Sequence, residues 1–170
     1  LEFSSSCKKS GIQPIISCEI LINIEEEKVL NRSHLDIINS LKKIVLIAKT
    51  EQGYLNLMAL VSNSFTGKSN NLPEHITFTE LTNKSSGLIV LSGGFEGFLS
   101  KLLFANQDKK AEEMALKFSQ LFKDDFYIQV SRHQNPDENK IEKKLIDLAY
   151  KINIALVATN DNYFADPEMF

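Results

Sequence analysis

Three short runs of apolar and β-branched residues, separated by helical stretches, constrain this chain most. Pro14-Ile15-Ile16-Ser17-Cys18 leads to Glu19, the run from Phe126 to Arg132 leads to His133, and the run from Ile154 to Asn160 leads to Asp161. Runs of this length and composition, alternating with helical patterns, predict buried parallel strands of an α/β fold. In such folds the carboxyl ends of the strands line the site. A carboxylate, an imidazole and a second carboxylate would then meet on one rim. That donor mixture suits zinc, manganese or iron in a metal-dependent phosphoester site, or its remnant. The competing reading leaves Glu19 solvated, His133 capping a strand end and Asp161 opening a turn with Asn160.

At 170 residues the chain can bury one sizeable core, and its 43% apolar and 24% charged content is that of a soluble globular protein. No stretch approaches the roughly 18 to 20 uncharged apolar residues that cross a membrane, so no membrane partner is expected. A net charge of -3 argues against a strong grip on nucleic acid by this segment alone. The lysine pairs Lys8-Lys9, Lys42-Lys43, Lys109-Lys110 and Lys143-Lys144 are scattered and read as solvated faces. Cys7 and Cys18 form no CxxC pair and read as small buried residues in a reducing cytoplasm. The sequons at Asn31 and Asn83 carry little meaning without a secretory signal.

Along the chain, Glu2 to Ser10 reads as the last turns of a helix stopped by Gly11. Gln13 to Ile24 runs extended, and Lys43 to Lys49 is a second buried strand. Glu51 to Phe65 is helical, with Tyr54, Leu57, Met58, Val61 and Phe65 at three- and four-residue steps as a stripe facing a core. A short helix around Phe78 and Leu81 takes Thr77 as its cap. Leu88 to Leu91 is a short strand broken by Gly93-Gly94, and helices follow from Phe98 to Ala105 and from Lys109 to Phe122. Pro136 suits a first helical turn, with Ile141, Leu145, Leu148 and Ala149 on one face. This strand-helix alternation, without repeats or linkers, predicts a single domain over residues 1–170 that is part of a barrel. The start at Leu1, inside a helix, suggests a piece of a longer chain.

Ser92-Gly93-Gly94 with Gly97 lacks the spacing of a nucleotide-binding loop and reads as a strand-to-helix turn. His34 and His75 read as surface histidines in polar loops.

Four ordered segments carry a family resemblance. These are Gly11 to Glu19, Leu46-Ile47-Ala48-Lys49 with Gly53-Tyr54-Leu55-Asn56-Leu57, Gly87 to Gly94, and Val157-Ala158-Thr159-Asn160-Asp161. They resemble the N-terminal domain of bacterial DNA polymerase III alpha subunits, a branch of the polymerase-and-histidinol-phosphatase (PHP) superfamily. The resemblance runs nearly end to end and implies part of a distorted (β/α)7 TIM-like barrel that lacks its first strands.

Residue by residue, the resemblance matches Glu19, His133 and Asp161 to metal-ligand positions of active members. Gly94 stands where those members place a cysteine or similar ligand, and Tyr163 where they place a histidine. The family's opening His-x-His pair is absent from this sequence. The resemblance therefore implies a vestigial metal set of Glu19, His133 and Asp161, with no catalytic residue in this segment and at most residual zinc or manganese. Losing a thiolate and an imidazole removes much of an ion's binding free energy and leaves the other donors repelling one another. The resemblance further implies that the magnesium-dependent nucleotidyl transfer of the parent polymerase lies outside this segment. This segment would be a cytoplasmic scaffold bound to the rest of the polymerase, reaching DNA only through the full chain and docking the proofreading exonuclease subunit. The alternative it leaves is an active metal-dependent phosphoesterase of the same superfamily.

Overall fold

The computed structural model describes residues 2–24, 34–66, 72–133, 135–160 and 168. The chain forms two compact units, Leu1–Val90 and Leu91–Phe170.

The first unit contains α1 (Glu2–Lys9), β1 (Ser17–Asn23), α2 (His34–Ser40), β2 (Lys42–Ala48), α3 (Glu51–Phe65), β3 (His75–Thr77) and α4 (Phe78–Asn83), and reaches β4 (Leu88–Leu91) at its end. Its strands lie in the order β3-β1-β2-β4. β1 and β3 run parallel, with Leu21 opposite His75. β1 and β2, however, are antiparallel, with Ile20 opposite Ile44 and Glu19 opposite Val45. The uniformly parallel set expected from the sequence is therefore corrected. Apolar runs buried on both sides look alike in either direction, and only a crossover connection forces parallel pairing. Ile20, Ile22, Ile44 and Leu46 alternate inward along the two strands and bury fully or nearly so.

α3 begins at Thr50, whose hydroxyl accepts from Gly53 N at 3.1 Å. Its span matches the sequence expectation, but its buried face does not. Gly53, Asn56, Leu57, Leu60 and Ser64 face inward, while Tyr54, Met58 and Phe65 are exposed. The helix is rotated onto the face that carries Gly53, because a Cβ there would stand 1.8 Å from the Gly87 carbonyl oxygen. Backbone approach and the Asn56 Nδ2 bond to Ser86 O at 2.8 Å outweigh the larger apolar side chains. α4 starts with a capping box between Thr77 and Glu80.

The second unit holds α5 (Phe98–Phe104), α6 (Asp108–Phe122), β5 (Phe126–Val130), α7 (Pro136–Ile152) and β6 (Leu156–Ala158). Here the expected parallel pairing is present, with Ile128 opposite Leu156 and Val130 opposite Ala158. Phe98 and Phe118 stack at 4.5 Å between ring centroids, and Phe126 lies 5.5 Å from Phe118. These three rings, all but buried, form the centre of the unit. α7 places Ile141, Leu145, Leu148 and Ala149 inward, as its sequence pattern predicts.

Candidate functional site

Glu19 is the third residue of β1, and the strand continues past it through Ile20, Leu21 and Ile22 to Asn23. It does not occupy the carboxyl end expected of it; the strand extends beyond the polar residue because Ile20 and Ile22 still have Ile44 and Lys42 to pair with. The Glu19 side chain is about half exposed, and its carboxylate lies 2.6 Å from Lys43 Nζ on the neighbouring strand. Cys18, beside it, is half-buried rather than fully buried, as is Cys7. Burial, then the charge of Glu19, pushes the Cys18 thiol up from its ordinary value.

His133 lies in the connection from β5 to α7. Its backbone N–H donates to Glu138 Oε2 at 2.8 Å, and its Nδ1 is 2.8 Å from Glu138 Oε1. Glu138 sits in the first turn of α7 and is buried, although it is ionisable. Burial pushes its carboxyl up, but the hydrogen bonds from His133 side chain and backbone, with the electrostatic pull of His133 and the Asn135 backbone, outweigh burial and hold it below the usual carboxylate range. Ser131 Oγ stands 3.4 Å from Glu138 Oε1. Glu138 was not singled out in the sequence, yet a signal was present. Asn135 caps α7 by accepting from Asp137 N at 3.0 Å, so Asn135-Pro136-Asp137-Glu138 has capping-box spacing. The third-position glutamate reaches back further than usual, to His133.

Gly94 adopts φ +59 in the turn after β4, and Gly93 φ +88. The glycine run thus serves as a strand-to-helix turn. Gly97 completes it, since a Cβ there would stand 1.9 Å from Ser92 O. Ser92 Oγ accepts from Gln129 N at 2.9 Å. Asp161 and Tyr163 lie outside the described residues. The expectation of a surface His75 is corrected. His75 begins β3, is buried, and its Nδ1 lies 2.8 Å from Pro73 O. His34 begins α2.

At the carboxyl ends of β5 and β6 a cleft of about 410 Å3 opens among Ser131, Arg132, Glu142, Thr159 and Asn160. Arg132 is committed there to a forked pair with Glu142, Nε at 2.9 Å and Nη2 at 2.6 Å from Oε1. Among the described residues, no group of three or more His, Cys, Asp or Glu side chains is placed to hold a metal ion. Glu19 is engaged by Lys43, and His133 by Glu138. No helix among the described residues is long and apolar enough to cross a membrane.

Comparison with known proteins agrees with the motifs. The PHP domain family model matches residues 1–133. DNA polymerase III subunit alpha of Rickettsia bellii (strain RML369-C) is 38% identical over 169 residues, covering 99% of this chain and 13% of that protein. The same subunit of Caulobacter vibrioides (strain NA1000 / CB15N) is 34% identical over 172 residues, covering 100% of this chain and 14% of its own length. That of Treponema pallidum (strain Nichols) is 35% identical over 169 residues, 99% of this chain and 14% of the relative. The chain therefore spans about one seventh or less of the length of these relatives.

Proposed function

We propose, from the premise that this chain belongs to the PHP domain family, that it is the PHP-domain segment of a bacterial DNA polymerase III alpha subunit. Its mixed α/β architecture is that of part of a TIM-like barrel. In the parent chain it serves as a scaffold whose metal site is degraded, while DNA synthesis and its magnesium chemistry belong to other parts of the polymerase. The observation that carries this reading is Gly94. A residue without a side chain stands where active members place a ligand, and its φ of +59 belongs to a tight turn. The ion pair of Glu19 with Lys43 at 2.6 Å supports it, because a metal would have to displace that lysine. Zinc or manganese would be retained at most weakly.

The docking half of the proposal assigns the domain a contact with the proofreading exonuclease subunit. It is supported by the exposed apolar side chains of α3, where Tyr54, Leu55, Met58 and Phe65 are all more than two-fifths exposed. The test is a binding titration between the full polymerase chain and its cognate exonuclease subunit. A stable complex that is lost when this domain is deleted supports docking. A complex that survives the deletion unchanged overturns it.

One observation favours the phosphoesterase reading instead. His133 is held through Nδ1 by a buried carboxylate, the arrangement that orients a metal-ligating imidazole. Manganese- or zinc-dependent phosphatase turnover by the full chain would select that reading over the scaffold.

A further inference from the structure

The Gln129 side chain packs against Gly94 in the second unit. A Cβ on Gly94 would lie 3.4 Å from Gln129 Nε2 and 3.7 Å from both Gln129 Cδ and Ser131 Oγ. The Gln129 amide therefore stands in the room that a side chain at position 94 would need. Gln129 is buried, and it is held at both its main chain and its side chain. Its main-chain N–H donates to Ser92 Oγ at 2.9 Å, and its Nε2 donates to Thr159 Oγ1 at 2.7 Å. Ser92, itself buried, opens the turn that carries Gly94, and Thr159 directly follows β6. One residue of β5 thus ties the turn after β4 to the end of β6. An ion held by side chains at strand ends would make the same kind of tie, because it joins the elements that supply its ligands.

We propose that Gln129 holds this rim in place of an ion, its amide filling the position vacated by a ligand at residue 94. The inference rests on the reading of position 94 as a lost ligand position and adds the residue that closes it. Glutamine suits the task. Its amide makes directional hydrogen bonds and carries no charge, so it is buried at far lower cost than a carboxylate without a counter-ion. The bond to Thr159 survives either orientation of the amide, since the threonine hydroxyl both donates and accepts. Restoring a ligand at position 94 alone would meet two obstacles, the Gln129 amide and the left-handed φ of +59.

The test is hydrogen exchange of the full polymerase chain, read at the Thr159 amide, which donates to Val130 O at 3.0 Å. Gln129→Met keeps the length of the side chain and removes its bond. Protection of Thr159 should then fall about three- to tenfold, the contribution of one buried hydrogen bond. Wild-type protection should be the same with added zinc, added manganese or a chelator. Unchanged protection in Gln129→Met overturns the proposal. Wild-type protection that rises with either metal, or falls with the chelator, also overturns it, because an ion would then be holding the rim. Thr159→Val removes the bond and leaves the amide in place; it should show the same loss and serves if Gln129→Met fails to fold. The degraded-site reading fails separately. Metal retained by the domain while Thr159 protection stays indifferent to it would overturn that reading and leave the Gln129 tie standing.

Discussion

Gly53 of α3 packs against the Gly87 carbonyl so closely that a Cβ at position 53 would stand 1.8 Å from that oxygen. Gly87 itself has φ +73, and Lys49 N donates to its carbonyl at 2.9 Å. This backbone-to-backbone contact sets which face of α3 is buried, and through it the relation of α3 to the β2 end and the turn before β4.

Gly53→Ala is therefore expected to destabilise the first unit by at least about 1–3 kcal/mol, because the added methyl meets backbone that cannot give way. Hydrogen exchange of the α3 amides in the full chain measures it. Protection equal to wild type would show that the contact is not what holds the helix.

Phe118→Ala removes the ring that stacks on Phe98 and touches Phe122 and Phe126. Phe118 is fully buried. The expected cost is about 3–5 kcal/mol, the usual range for deleting a buried aromatic ring. Loss of protection should spread over α5, α6 and β5 together; a loss confined to α6 would argue against one shared aromatic core.

The bonds by which Glu138 ties His133 to α7 favour its ionised form. Its carboxyl is held below the ordinary range, so the folded state binds its proton less readily than the unfolded chain does. The resulting stabilisation is fully present above the unfolded carboxylate value of about 4.3 and is lost as pH falls through the lower folded value. Protection of the His133 amide, corrected for intrinsic exchange, should drop across that acidic window. In Glu138→Ala the amide should be weakly protected at every pH, and a pH-dependent wild-type profile retained in the variant would refute the assignment.

Glu19→Gln removes a surface ion pair whose partners are both more than a third exposed. Such pairs contribute about 0–1 kcal/mol. Thermal melts and zinc content of the full chain should both stay close to wild type. A substantial loss of bound zinc would instead make Glu19 a genuine ligand.

Much of the fold was legible in the chain itself. The α3 span, β4 and β5 follow from runs of apolar residues punctuated by Gly and Thr, and α7 from Pro136 followed by its periodic stripe. What was not legible depended on contacts between distant segments. Tyr54, Met58 and Phe65 make a better apolar stripe than Gly53, Asn56 and Ser64, but only the latter can approach Gly87 and Ser86. The antiparallel pairing of β1 with β2 left no mark in their composition, since both are apolar along most of their length. Glu19 and His133 could be picked out by residue type, but their partners could not. Nothing local to Glu19 announces Lys43, and Glu138 went unread although Asn135 and Glu138 stand at capping-box spacing before α7.

The central claim is that the PHP site of this chain is degraded. Its most direct test is elemental analysis of the full polymerase chain after loading with zinc and manganese and exhaustive dialysis, alongside a Glu19, His133 and Asp161 triple-alanine variant. The account predicts no stoichiometric zinc or manganese in either protein. Two or more ions per wild-type chain, lost in the variant, would contradict it.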